Sequence, residues 1–394
     1  GRRRTARMIV DAGGGRADAA RHPDLQKVSG GSDDSGGAPS SDAPRVPDTP
    51  EGANAPETAD VPAVTVAGLR SGWEGPGLDA EGAYALDLLV VLDAPQLAAE
   101  TAAALVEGLP DGARLVLSGD PQLLGSAGPG QVFQDVRASG CCPRVASRTP
   151  DPGPLGELVS GIGVGELPPV AAPEREMVIV PVQDPTDAVR RTVQLVSDSV
   201  PRAIGVPAEQ TQVLTTGHGG AAGTRALNTA LKEALNPGPG RFGGFDPGDR
   251  VAYSPAPGHT VTGSVRDAGD DGLHLELAGR SVVLAPQRVA AALRHGWAIT
   301  THQAAGTRWP AVVAVLPGEA ADTLTRDWVY TTFGRAERHL SIVQGVQQAL
   351  PRAVSEQLAT ARTTRLRTLL VRAVAQLEPD PSTERATGTT GEGR

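Results

Sequence analysis

The chain has 394 residues, a formal net charge of −9, 49 glycines and 34 prolines, so it has room for two or three domains but devotes much of its length to turns and linkers. An acidic total excludes a protein that adheres to nucleic acid through bulk charge, because such binding is mostly phosphate neutralisation. No run of 18 or more apolar residues exists, since Asp87 and Asp93 break the longest candidate, and adjacent Cys141 and Cys142 lack the companions of a zinc site or disulfide framework; the expectation is a cytoplasmic chain without a membrane span.

In chain order, residues 1–60 are dominated by Gly, Ala, Ser, Asp and Pro, too poor in apolar groups to offset chain entropy, and are expected to be disordered. The opening Gly1-Arg2-Arg3-Arg4 is not followed by the apolar core of a signal peptide. Leu86 to Leu92 is a continuous apolar run that delivers Asp93 to the end of a buried parallel strand. Ala98 to Leu109 is alanine-rich and predicts a helix. A second strand, Arg114 to Leu117, leads into Ser118-Gly119-Asp120-Pro121 and a turn at Gly128-Pro129-Gly130.

Residues 151–172 read as a linker. Its Gly161-Ile162-Gly163-Val164-Gly165 run lacks both a preceding strand and the Gly-x-Gly-x-x-Gly spacing of a dinucleotide loop. Met177 to Val182 and Gln212 to Thr215 are further strands. After the glycine-rich turn at 219–223, Leu227, Leu231 and Leu235 make one apolar helix stripe that Asn236-Pro237 stops. From 245 to 289, Val261, Val265, Leu273, Leu275, Leu277, Val282 and Leu284 alternate with polar neighbours as short strands. Ala311 to Val315 and His339 to Val343 complete the parallel strands, 351–378 reads as a C-terminal helix, and 379–394 as a disordered tail.

Three stretches carry chemistry. Ala298-Ile299-Thr300-Thr301-His302-Gln303-Ala304-Ala305-Gly306-Thr307-Arg308 and Trp328-Val329-Tyr330-Thr331-Thr332-Phe333-Gly334-Arg335-Ala336-Glu337-Arg338 stand in the order of motifs V and VI, and Leu115-Val116-Leu117-Ser118-Gly119-Asp120-Pro121-Gln122-Leu123-Leu124-Gly125 in that of motif III, of a DNA motor. Together they resemble the RecD-like superfamily 1 DNA helicases, over about Ala63 to Val354. That resemblance implies an α/β fold with RecA-like, P-loop NTPase-type parallel sheets. A partial first lobe would occupy 61–150. A second lobe would occupy 173–244 and 290–350, interrupted by a small SH3-like β-barrel insertion at 245–289.

The resemblance also implies ATP and Mg2+ as cofactors, single-stranded DNA as partner and a place in recombination or repair. Asp93 would hold the metal, and Arg335 would reach across the inter-lobe cleft to the γ-phosphate as the second catalytic group. Gly119, Asp120, Gly306 and Arg335 would line the nucleotide, and Thr300, Thr301, His302, Tyr330 and Thr331 the DNA. Yet the chain departs from the pattern where catalysis is made: Ala94 replaces the general-base glutamate, Leu123 the γ-phosphate-sensing glutamine, and Gln303, Ala305 and Arg308 stand for lysine, glutamine and glutamate. The two lysines, Lys27 and Lys232, lie outside any Gly-Lys-Ser/Thr phosphate loop. ATPase chemistry is therefore expected to be degraded, and the alternative is a non-catalytic module that binds DNA or docks a protein partner.

Simpler roles exist for the same residues. His302 would serve as a satisfied structural histidine, Arg335 as a surface bridge to Asp327 or Glu337, Asp93 as a helix cap, and Arg362, Arg365, Arg367 and Arg372 as a solvated helix face. Arg144 and Arg148 both lie near the place of the family's motif IV arginine, and neither sits in its expected setting.

Overall fold

The computed structural model describes residues 7–11, 63–72, 74–147, 151–256 and 258–377. Most of the two stretches expected to be disordered, 1–60 and 379–394, lies outside the described residues. The exception is a correction: Arg7–Asp11 is a strand, β1, inserted between β2 (Ala63–Thr65) and β3 (Leu88–Leu92). Its Met8-Ile9-Val10 core has the β-branched character a strand needs, a signal the low-complexity surroundings concealed.

The first sheet runs β2-β1-β3-β4, all parallel, with β4 (Arg114–Leu117) at its edge. Helix α1 (Val66–Ser71) follows β2, α2 (Ala99–Glu107) follows β3, and α3 (Val132–Ser139) follows β4. Leu89 and Val91 of β3 are fully buried with Leu97 and Leu105, whereas Leu92 on the opposite face is 37% exposed. Among the described residues only one face of this sheet is closed, against the expectation of helices on both. Leu115 and Val116 of β4 point to opposite faces and are 38% and 44% exposed, so the edge strand is apolar and open on both sides.

The second sheet is closed. Its order is β12-β6-β13-β14-β5, all parallel: β5 (Met177–Pro181), β6 (Thr211–Thr215), β12 (Ala298–Thr300), β13 (Trp309–Leu316) and β14 (Ala336–Gln344). Every residue of β6 is buried, as are Ala311 to Leu316 of β13, which is what near-continuous Val, Ala and Leu dictate for a strand covered on both faces. One cover is α5 (Pro185–Gln194), α6 (Val200–Ile204) and α7 (Thr224–Leu235), with Leu227 and Leu231 of the apolar stripe fully buried. The other is α4 (Gly153–Val164) together with α9 (Arg326–Phe333) and α10 (Ala349–Ser355).

Helix α4 corrects the linker reading of 151–172. Leu158 and Ile162, four apart on one helix face, lie buried in the main core against α9, and Gly165 ends the helix with φ +92°. The glycines that suggested a linker serve close packing instead: a Cβ at Gly163 would meet the Gln122 and Tyr330 side chains.

Between the arms of the second sheet lies an antiparallel one of order β10-β9-β8-β7-β11, formed by β7 (Arg250–Ala256), β8 (His259–Gly269), β9 (Gly272–Leu277), β10 (Arg280–Leu284) and β11 (Leu293–His295), with α8 (Pro286–Ala292) before β11. The inserted sheet therefore runs past 289 to His295, because β11 pairs with β7. Arg250 ties it to the second lobe by donating to the Thr211 carbonyl (2.7 Å) and Gln212 Oε1 (2.6 Å), and burial lowers its pKa to about 10.

The C-terminal helix expected over 351–378 is two helices, α10 and α11 (Leu366–Leu377), joined by an irregular stretch that leaves the second lobe and lays α11 on α3 of the first. Among the described residues no helix is long and apolar enough to cross a membrane.

One pH dependence follows from the second sheet. His339 is 2% exposed and uses both ring nitrogens, Nδ1 with the Arg175 carbonyl and Nε2 with Ser341 Oγ, each at 2.7 Å. Burial holds its pKa below the ordinary histidine value. The unfolded chain thus binds the proton more readily, and stability present above the unfolded value is lost as pH falls through it toward the folded value. Tm should drop as pH falls below about 6.5, and His339→Gln should flatten that slope in a pH series of thermal melts.

Candidate inter-lobe site

Asp93 leaves β3 in the left-handed region, φ 48°, at the start of a single helical turn over Ala94–Gln96. Aspartate is among the few non-glycine residues that tolerate that region, and it marks a sharp backbone turn at the end of the strand. The carboxylate does not cap the turn that follows, and α2 begins only after Ala98, so a capping role is absent. The chain returns beside it at Ser118-Gly119, where the Ser118 carbonyl accepts from Ala94 N at 2.9 Å. A Cβ on Gly119 would come within 2.3 Å of Pro95, so only glycine allows this approach.

Asp120 then turns toward the second lobe. Its Oδ1 accepts from Gln122 N (2.9 Å), and its Oδ2 accepts the Tyr330 hydroxyl of α9. Leu124 N donates to Thr331 Oγ1 across the same boundary at 2.8 Å. Burial first, and the Asp120 carboxylate second, push the Tyr330 pKa well above the ordinary phenol range, so Tyr330 is a proton donor at every physiological pH.

Arg335 follows α9 and is 8% exposed, which excludes a surface bridge. Its Nε donates to the Thr331 carbonyl at 3.1 Å. Desolvation and then the Arg308 charge lower its pKa, while Asp93, Tyr330 and Asp120 oppose them, so the guanidinium lies within electrostatic reach of both first-lobe carboxylates. Arg308 itself spans Asp151 Oδ2 (2.6 Å) and the Gly334 carbonyl (3.0 Å). Hydrogen bonds thus join Asp120 to Tyr330 and Arg335 to Thr331 on the same helix where the two lobes meet, and the Asp93 charge acts on Arg335 from the first lobe.

The turn after β12 supplies the rest. Gly306 has φ +77°, a left-handed conformation that favours glycine. His302 projects into a crevice of about 710 Å³ shared with Leu123, Gly163, Tyr330, Ala359 and Arg362. Desolvation there, together with the Arg362 charge, holds its pKa below the ordinary value against the pull of Asp327. His302 is nonetheless exposed.

Two expected DNA contacts are corrected. Thr301 and Thr331 are each 1% exposed, and their hydroxyls are engaged internally: Thr301 Oγ1 with Thr332 Oγ1 at 2.8 Å, Thr331 Oγ1 with Leu124 N. Thr300, 8% exposed, is held by the Gln303 side chain. Tyr330, expected on DNA, instead joins the lobes through Asp120. Of the five, His302 is the exposed one. Arg362, grouped by sequence with a helix face, lies ahead of α11 and binds carbonyls of the first lobe, a role for which sequence carries no signal.

At the places that the motif resemblance gives to a general base and a phosphate sensor, the described residues carry neither group. Ala94 beside Asp93 is apolar and 1% exposed, Leu123 offers no polar atom, and Asp120 is engaged by Tyr330 and Gln122 N. Lys232, the described lysine, is bound to Asp246 and Asp249 at the base of the inserted sheet. Among the described residues no group of three His, Cys, Asp or Glu is placed to hold a metal ion.

The profile of the UvrD-like helicase C-terminal domain matches residues 295–343, the span from β11 through β14. An ATP-dependent RecD2 DNA helicase of Deinococcus radiodurans is 28% identical over 261 residues, covering 64% of this chain and 35% of that protein. The chain therefore spans about a third of the length of that relative. Among solved structures, a Bacteroides Pif1 helicase in complex with ADP-AlF3 and single-stranded DNA aligns over 84% of this chain and 86% of its own at 11% identity, with a TM-score of 0.43. The Pif1 helicase of Candida albicans aligns over 75% and 77% at 12% identity, with a TM-score of 0.36. In motif order, in the matched C-terminal domain and in its RecD2 relative, the chain is similar to the RecD-like superfamily 1 helicases.

Proposed function

We propose that the protein is a helicase-derived DNA-binding protein of the cytoplasm, serving recombination or repair, in which the two-lobed frame persists and ATP hydrolysis does not. The observation that carries this reading is the composition of the inter-lobe site: Arg335, Asp93 and Asp120 still converge, while Ala94 and Leu123 stand at the places of the base and the sensor. Loss of a general base removes about 10² to 10⁴ in rate on its own. In this reading Arg335 is a relict phosphate-facing group, Gly119 and Gly306 shape the loops around it, and His302 offers an exposed donor to a nucleic-acid backbone. Magnesium- and DNA-stimulated phosphate release by the purified chain should stay at the level of an Arg335→Ala control; a stimulated rate abolished by that substitution would overturn the reading.

Binding is the positive test. With a net charge of −9 the chain should hold fluorescently labelled single-stranded DNA only at low salt, with affinity falling steeply as salt rises. His302→Ala should weaken it by about tenfold, the effect of one hydrogen bond to a charged group. Anisotropy titrations measure both, and salt-independent or His302-independent binding refutes the assignment.

A second reading, docking of a protein partner, is favoured by the open apolar edge at β4, where Leu115 and Val116 are exposed on opposite faces. An incoming strand would find unpaired backbone groups and apolar cover there. Absence of DNA binding at low salt would point to this alternative.

A further inference from the structure

Beyond α10 the chain crosses from the second lobe to the first. Three bonds hold its start to the second lobe: Arg326 donates through Nε to the Val354 carbonyl (2.6 Å), through Nη2 to the Ser355 carbonyl (2.8 Å) and through its backbone N to the Gln357 carbonyl (2.8 Å). Its far end is fastened to the first lobe. Arg362 Nη1 donates to the carbonyls of Gly128 (2.6 Å) and Gly130 (2.7 Å), its Nη2 to that of Ser126 (2.6 Å), and Thr364 Oγ1 to Asp135 Oδ2 (2.6 Å). Leu366, Leu370 and Val374 of α11 recur every four residues and are half-buried where the helix packs on α3.

Between these anchors, Leu358 to Arg362 form one wall of the crevice into which His302 projects. A guanidinium offers its donors in a fixed fork, and here that fork is matched by three carbonyls of the glycine turn that no other side chain would satisfy so completely. The stretch is therefore a fastened bridge between lobes, lying on the same side as the exposed histidine.

We propose that residues 356–365 are a strap, latched by Arg362, that fixes the two lobes in one arrangement and covers the crevice behind the exposed His302 ring, so that a single-stranded polyanion reaches the ring but not the crevice. The covering half of this inference rests on the DNA-binding reading above; the latch does not. Release of the strap would open the crevice without any change in the lobes themselves, a switch whose stored contacts are hydrogen bonds to carbonyls and are independent of nucleotide.

The full chain carrying Arg362→Ala or, separately, Thr364→Ala tests it, with Arg367→Ala on α11 as a control of equal charge change. Hydrogen exchange should quicken by about tenfold in segments 125–135 and 356–377 of the Arg362 variant, less in the Thr364 variant, and remain unchanged in β13 and β14. At about 50 mM salt both strap variants should bind a labelled oligo-dT more tightly than the parent, although one of them has lost a positive charge, whereas the Arg367 control should bind less tightly. Unchanged exchange overturns the latch. Quickened exchange with weaker DNA binding shows that the strap belongs to the DNA surface and overturns the covering role. Quickened exchange with no DNA binding by any variant overturns the covering role together with the DNA-binding reading, and leaves the latch supported.

Discussion

Replacing Lys232 by alanine is expected to destabilise the second lobe by about 3–5 kcal/mol, the cost of leaving a buried charge without its partner. Lys232 Nζ bonds Asp249 Oδ1 (2.9 Å) and Oδ2 (2.8 Å) and Asp246 Oδ2 (2.9 Å), while Asn236 donates to Asp249 Oδ1 at 2.7 Å and Asp246 N to Asp249 Oδ2 at 2.9 Å. Burial opposes the ammonium charge, but the bonds to Asp249 and Asp246 outweigh it and hold the Lys232 pKa above its usual value. Asp249 is fully buried, so removal of the ammonium strands a carboxylate where water does not reach. The network joins the end of α7 to the entry of the inserted sheet, and the loss should appear first there. Denaturant unfolding monitored by Trp297, which stacks on His295 beside this network, measures it. A loss under about 1 kcal/mol would show that the network is solvated and weak. Asp249→Asn added to Lys232→Ala should recover part of the loss, because it removes the stranded charge while keeping an acceptor oxygen for the neighbouring donors.

Phe333→Ala should cost a similar amount, about 3–5 kcal/mol, and for a different reason: it opens a cavity in the main core. Phe333 is fully buried at the end of α9, among Leu158, Ile162, Trp328 and Leu340. Helix α9 carries Tyr330 and Thr331, which meet Asp120 and Leu124 of the first lobe, and its end positions Arg335. The cavity should therefore be felt between the lobes as well as in the core. Phe333→Leu, which keeps most of the volume, should cost less than about 1.5 kcal/mol and leave the lobe contact intact. Hydrogen exchange in segment 118–125 separates the two variants: it should quicken with alanine and stay near the parent with leucine. Equal exchange in both would mean that α9 is held from the first-lobe side instead.

Much of the fold was legible before any coordinates. The apolar run at Trp309–Leu316 is what a parallel strand buried on both faces requires, and the run at Leu88–Leu92 marked a strand although only one of its faces is closed. The four-residue recurrence of Leu227, Leu231 and Leu235 marked α7, and alternation between Val261 and Leu284 marked antiparallel strands. The strand at Arg7–Asp11 escaped because five residues inside a polar, glycine-rich stretch carry too little signal, and its pairing with β2 and β3 is a contact distant along the chain. Helix α4 escaped because its glycines read as turn residues; their value is small size against Gln122 and Tyr330, which is visible only once those side chains arrive.

For the site, sequence by itself determined which groups are present and which are missing. Asp93, Asp120, His302 and Arg335 are there, and Ala94 and Leu123 carry no base and no sensor, since identity alone decides whether a side chain can hold a proton or a charge. Only the tertiary structure decided which of these groups are available. Thr301 and Thr331 are interior, Tyr330 is bonded to Asp120, and Arg362 fastens the glycine turn, because exposure and partnership depend on residues some 30 to 240 positions away in the chain. Short-range patterns encode elements through local periodicity; the pairing of a hydroxyl with a carboxylate across two lobes is set by packing, on which no local pattern reports.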